Sequence, residues 1–220
     1  MLFRDREEAG RLLGAYLKAR LPRREEGAVV LGIPRGGVIV ADAVASALEA
    51  PLEVIVPRKL GAPGNPELAV GALALAGGEE IALVDERSVR ALGVPEPYLR
   101  EEIERQRREI LRREAAYREG RPPVPVEGRV AVLVDDGVAT GLTARAAARA
   151  VARGSPREVI VAVPVAPPEA GREFAAEGVR LEALETPSPF GAVGRFYVDF
   201  RQIEDAEVKA VLRAHGREPV

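Results

Sequence analysis

The chain contains no cysteine, so a disulfide framework, a thiolate metal site and a cysteine nucleophile are all excluded. Its single histidine, His215, lies close to the C-terminal end, which argues against a zinc centre. Long apolar runs are missing too. No stretch approaches the roughly 18 residues needed to cross a bilayer, and the start, Met1 to Glu8, has no apolar core of a signal segment. A cytoplasmic protein with no membrane partner is expected. Neither sign of charge dominates: 32 Lys and Arg face 34 Asp and Glu, a net charge of −2, so nothing draws the chain as a whole toward nucleic acid. One methionine, 18 prolines and 30% charged residues match the composition of a heat-adapted, thermophile protein.

What is present is enough apolar material, 47% of 220 residues, for one sizeable core, and a single domain over residues 1–220 is expected. Asp5 and Glu8 have the spacing of a capping box, and the helix that follows is expected to end near Pro22. Short apolar runs then alternate with helical stretches: strand 28–33, helix 37–48 and strand 52–56 make a βαβ unit and imply a parallel sheet. Runs 70–75 and 80–84, joined by Gly77-Gly78, predict an antiparallel pair beside that sheet. The segment Leu60 to Pro66 is rich in turn residues and reads as a mobile loop. A charged stretch, 97–119, carries Leu99, Ile103, Ile110 and Tyr117 on one stripe of a long helix. This helical insertion, about 95–125, is either a solvated strap across the sheet or a dimer contact or lid. After the stiff Pro122–Pro125 connector the series resumes with strand 130–134, helix 142–152, strand 158–163, helix 167–176, strand 179–184 and a last helix 203–214. The expected class is α/β, a central parallel sheet flanked by helices.

The chemistry concentrates in Val132-Leu-Val-Asp-Asp-Gly-Val-Ala-Thr-Gly-Leu-Thr-Ala144. A buried strand stops at Asp135 and Asp136, and the chain passes through Gly137, Val138, Ala139, Thr140, Gly141, Leu142 and Thr143 into an alanine-rich helix. A helix N-terminus offers unpaired N–H groups and a partial positive charge, suited to a phosphate monoester. The neighbouring carboxylates suit a sugar diol or a metal ion; the plain alternative is a pair of capping acids at a solvent edge. The Walker A and dinucleotide glycine patterns are absent.

This run resembles the signature for phosphoribosyl pyrophosphate (PRPP) of the type I phosphoribosyltransferase (PRTase) family. The resemblance implies that Asp135 and Asp136 bind the ribose hydroxyls and that Ala139 to Thr143 cradle the 5-phosphate. Gly137 replaces the aliphatic residue more frequent in the family. Ala139 stands where hypoxanthine–guanine enzymes carry an aspartate near the purine, whereas adenine enzymes have Ala-Thr-Gly. The acceptor base is therefore left open.

Two further segments agree. Pro34-Arg-Gly-Gly37 follows the first strand and precedes a helix; paired glycines permit positive φ and close approach, and Arg35 can fork onto phosphate oxygens. In the family the corresponding loop binds pyrophosphate and often contains a non-proline cis peptide; Pro34–Arg35 is where such a bond would fall, and the sequence leaves its isomer open. Arg58 and Lys59, with Gly61, resemble the stretch of adenine-type enzymes that reaches the pyrophosphate and leads into a catalytic loop, Leu60 to Glu67, which closes over the site. Near the C-terminus, residues 186–202 resemble a small hood, with Phe190, Val193 and Asp199 as base-binding candidates and Phe196 and Phe200 equally suited to a core.

The resemblance implies transfer of the phosphoribosyl group from PRPP to a nitrogenous base, with release of pyrophosphate, in nucleotide salvage. Mg²⁺ would arrive on PRPP, near Asp135 and Asp136, without a dedicated protein ligand. A homodimer is the family habit. The competing class is a PRPP- or nucleotide-sensing regulator on the same fold without the reaction. An aspartate–metal hydrolase would use Asp135 and Asp136 and leave Thr140 to Thr143 unexplained.

Overall fold

Five strands, of which the inner three are apolar runs largely buried on both faces, assemble into one parallel sheet. The computed structural model describes residues 2–21 and 27–216. The strands are β1 (Ala28–Gly32), β2 (Leu52–Val54), β6 (Val130–Val134), β7 (Glu158–Val165) and β8 (Arg180–Glu185), in the order β2-β1-β6-β7-β8. Helices α1 (Arg6–Arg20), α2 (Gly36–Leu48) and α7 (Asp205–His215) cover one face, and α5 (Leu142–Ala152) and α6 (Ala170–Ala175) lie on the other. The α/β class with a central parallel sheet flanked by helices is thus as expected. Pro22 lies outside the described residues; α1 ends at Arg20. Its Asp5 cap accepts from Glu8 N–H at 2.7 Å, but the return bond from Glu8 goes to Arg4 N–H instead of Asp5 N–H.

A second sheet departs from expectation. β3 (Arg58–Ala62), β4 (Asn65–Ala76) and β5 (Glu79–Val84) form an antiparallel sheet in that order. The β4–β5 hairpin was expected, but the segment 60–66, read as a loop, is a second hairpin turning at Pro63-Gly64. The turn residues there serve only its tip. Its body is held by pairing with β4, with a register shift that accommodates Pro66, and by the inserted helix. A short helix, α3 (Glu86–Ala91), capped by the Asp85 side chain, was not anticipated, and Pro167-Pro168 delay α6 to Ala170.

The insertion is one helix, α4 (Glu96–Arg118), packed on β2, β3, β4 and α7. Its fully covered positions are Glu102, Gln106, Ile110 and Tyr117, while Leu99 and Ile103 are half-buried. The seam is therefore polar in its first half. Tyr117 closes the other end by donating its hydroxyl to Asp205 Oδ1 at 2.7 Å.

Candidate functional site

The backbone brings the two sequence motifs together before any side chain is considered. β1 and β6 are neighbours in register, Gly32 opposite Val134, and Ile33 N–H donates to Val134 C=O at 2.9 Å. From this pair the chain runs outward in opposite directions, β1 to β2 and β6 to β7 to β8. Such a switch point opens a crevice at the C-terminal ends of the strands.

In the first loop the Pro34–Arg35 peptide is cis. Gly36 and Gly37 open α2, and neither has positive φ; what they supply is proximity. A Cβ on Gly36 would lie 2.0 Å from Asp136 Oδ2, and one on Gly37 would lie 2.8 Å from Val134 O and Asp135 Cα. The glycines thus let the two loops touch, and the N–H groups of α2's first turn belong to them.

In the second loop Asp136 N–H donates to Asp135 Oδ1 at 2.8 Å, and Val138 N–H to Val165 C=O at 3.0 Å. Gly141, at φ 71°, is the residue before α5, so Leu142 and Thr143 supply its first N–H groups, with Ala139 and Thr140 exposed beside them. Gly137 has a local reason: a Cβ there would stand 2.5 Å from Val193 Cγ1. The hood residue Val193 fills the space that an aliphatic side chain at 137 would take.

Burial pushes the Asp135 carboxyl well above the usual carboxylate range, and the adjacent Asp136 pushes it further. Asp136 is raised by burial as well, with Arg6 pulling it back. Arg6 was not anticipated. Only 7% exposed, it donates from Nε to Asp136 Oδ2 at 2.7 Å and from Nη1 to Arg201 C=O at 2.9 Å, with Phe200 stacked 3.9 Å from the guanidinium. The Tyr197 hydroxyl, raised by burial and by Asp136, donates to Asp136 C=O at 2.6 Å. Arg6 did carry a signal: a cation in the first turn of a helix opposes the helix dipole and calls for an anionic partner.

A cavity of about 460 Å³ opens where these loops meet β3 and α4. Pro34, Asp135 and Thr143 form one side and Arg58, Lys59 and Arg105 contribute its cations. Gln106 accepts from Arg58 Nε at 2.9 Å, and Glu102 accepts from Gln106 Nε2 at 2.9 Å and from Gly61 N–H at 3.3 Å. Burial, then the nearby Arg113, holds the Arg58 guanidinium below its ordinary value.

Arg35 does not line this cavity; its guanidinium approaches Glu204 at 4.0 Å, at the start of α7. The hood candidates are dispersed in their contacts. Phe190 packs on Phe196 with ring centroids 5.2 Å apart, Val193 covers Gly137, and the exposed Asp199 accepts from Arg201 N–H at 3.0 Å.

Comparison with known proteins points the same way. Two Mycobacterium tuberculosis proteins, named "Putative phosphoribosyl transferase MT0597" and "Putative phosphoribosyl transferase Rv0571c", are each 43% identical to the chain over 215 residues, 97% of it and 47% of them. The chain spans about half the length of these curated relatives. The crystal structure of TT1426 from Thermus thermophilus is 46% identical, covering 96% of this chain and 98% of that one with a TM-score of 0.78. A family model described as the phosphoribosyl transferase domain matches residues 8–201, and the chain belongs to that family.

Proposed function

We propose that the chain binds PRPP across the β1–β6 crevice and transfers its phosphoribosyl group to a nitrogenous base. The observation that carries this reading is the cavity whose walls include Pro34, Arg58 and Lys59 together with Asp135 and Thr143. A ligand with a diphosphate at one end and a sugar phosphate at the other matches the cations and the helix start among them. The ribose hydroxyls lie on Asp135 and Asp136, and the 5-phosphate on Ala139 to Thr143 at the start of α5. The diphosphate lies against the Gly36 and Gly37 N–H groups, Arg58 and Lys59. Arg35 serves through its backbone, since its side chain faces Glu204.

In the reaction the bond from C1 to the diphosphate oxygen breaks, a bond from C1 to the acceptor nitrogen forms, and the acceptor loses a proton. No protein nucleophile is required. Mg²⁺ would arrive on PRPP, and the adjacent Asp135 and Asp136 carboxylates would lie near it without forming a dedicated protein site. The ion's chemistry is to neutralise charge on the leaving group.

The test is incubation with PRPP, Mg²⁺ and a panel of purine, pyrimidine and other nitrogen acceptors, following diphosphate release and product mass. Acceptor-dependent release, lost in Asp135→Asn/Asp136→Asn, is the expected result. PRPP binding without release for any acceptor would replace the transferase with a sensor. Undiminished turnover in the double variant would overturn the site.

A further inference from the structure

We propose that Arg105, on the inserted helix α4, is a ligand of the diphosphate group; this rests on the PRPP reading above. Arg105 lies with Arg58 and Lys59 on the wall of the cavity, which the two sheet loops, the β3–β4 hairpin and α4 line together. Nothing in the sequence motifs points to it, since they stop at Gly61 and resume at Val132.

The plain alternative is a surface ion pair with Glu102 three residues earlier. Its geometry does not fit one. Glu102 is 3% exposed, and its Oε1 is already committed to Gly61 N–H and Gln106. Arg105 holds Glu102 Oε2 through Nε at 2.8 Å and Nη2 at 2.5 Å, while its side chain remains 57% exposed. Two of the five N–H donors of the guanidinium are thereby used, and the rest of the fork is left at the cavity wall. An arginine clamped at its root loses little freedom when it takes up an anion.

The surrounding charge supports this. Arg58, Lys59 and Arg105 share this wall of the cavity; burial, then Arg113, and more weakly Arg105, hold Arg58 down, with Glu109 and Glu102 offsetting part of that. The carboxylates on the cavity wall are Glu102, which is spoken for, Glu67, exposed near the start of β4, and Asp135 of the acidic loop. A fork that presents paired donors suits adjacent phosphate oxygens.

The experiment is calorimetric titration of the whole chain with Mg²⁺–diphosphate and, separately, with ribose 5-phosphate. Arg105→Ala is expected to weaken diphosphate at least about tenfold and to leave ribose 5-phosphate within about twofold. Arg105→Lys should fall between, and Arg108→Ala, exposed on the same helix and away from the cavity, should match the parent chain. Arg105→Gln, which keeps an amide donor for Glu102, guards against a variant that fails to fold, with thermal melts alongside. Unchanged diphosphate affinity in folded Arg105→Ala and Arg105→Gln overturns the proposal while the ribose phosphate site stands. Arg105-dependent diphosphate binding without any ribose 5-phosphate binding supports the proposal and overturns the PRPP reading. A parent chain that binds neither probe overturns both.

Discussion

Arg6→Ala tests the link between the N-terminal helix and the acidic pair. The side chain removed makes a 2.7 Å ion pair with Asp136, a 2.9 Å bond to Arg201 C=O and a stacked contact with Phe200. Its loss strands a carboxylate that is 16% exposed at the side chain. Removing one partner of a buried pair costs about 3–5 kcal/mol, and the cation–π contact adds about 1 kcal/mol. Water entering the vacated space offsets part, which leaves about 3 kcal/mol at neutral pH, or roughly 6–12 °C of melting temperature for a chain of this size.

The pH dependence separates this cause from lost packing. Asp136 is already raised by burial and held back by Arg6, so its folded-state value is higher still in the variant. The stability gap is therefore complete above the variant's value. It narrows as pH falls through that value, and below the parent's value only the packing difference remains, because both proteins then carry a neutral Asp136. Melts followed by circular dichroism from pH 4 to pH 8 provide the measurement, with Asp136→Asn added to Arg6→Ala to complete the cycle. A loss under about 2 °C at pH 7.5, or a gap that stays constant with acid, would refute the reasoning.

Other expectations follow from neighbouring contacts. Asp135 is raised by burial, so its ionisation costs stability: its contribution is full below its ordinary value and lost as pH rises through the folded one. Asp135→Asn should melt about 2–4 °C higher than the parent at pH 7, lose that gain near pH 3, and bind ribose 5-phosphate poorly. Gly137→Val should destabilise by about 1–3 kcal/mol, because its Cβ would stand 2.5 Å from Val193 Cγ1, and adding Val193→Ala should restore part of it in thermal melts. Tyr117→Phe leaves Asp205 without its 2.7 Å donor and should cost about 1 kcal/mol by urea unfolding.

The parallel sheet and the acidic loop were legible because their determinants are local. Val130–Val134 is a buried run that ends at Asp135, and α5 starts at Leu142 after a left-handed Gly141, as the pattern implies. Of the two reasons given for Gly36 and Gly37, close approach holds and positive φ does not: contact with Asp135 and Asp136 excludes a side chain, not the dihedral. β3 was missed because its determinants are distant. Tyr98 donates its hydroxyl to Gly61 C=O at 3.0 Å and Glu102 accepts from Gly61 N–H, both from a helix about 40 residues on in a segment with no recognisable motif. Arg6 was missed for the same reason, 130 positions from its partner.

The long helix then acquires a meaning that neither a solvated strap nor a lid supplied. A strap needs only an apolar seam, and the second half of α4 provides one with Ile110 and Tyr117. The first half buries Glu102 and Gln106 instead, side chains whose desolvation is costly unless each is hydrogen-bonded and for which leucine would serve packing better. Both are satisfied, and their partners are Arg58, Gly61 and Arg105. Two of the three line the cavity and the third anchors the hairpin beside it. The polar half of the seam is therefore better explained by the cavity than by the fold: it fixes a guanidinium and a hairpin against a site whose other wall the parallel sheet had already placed.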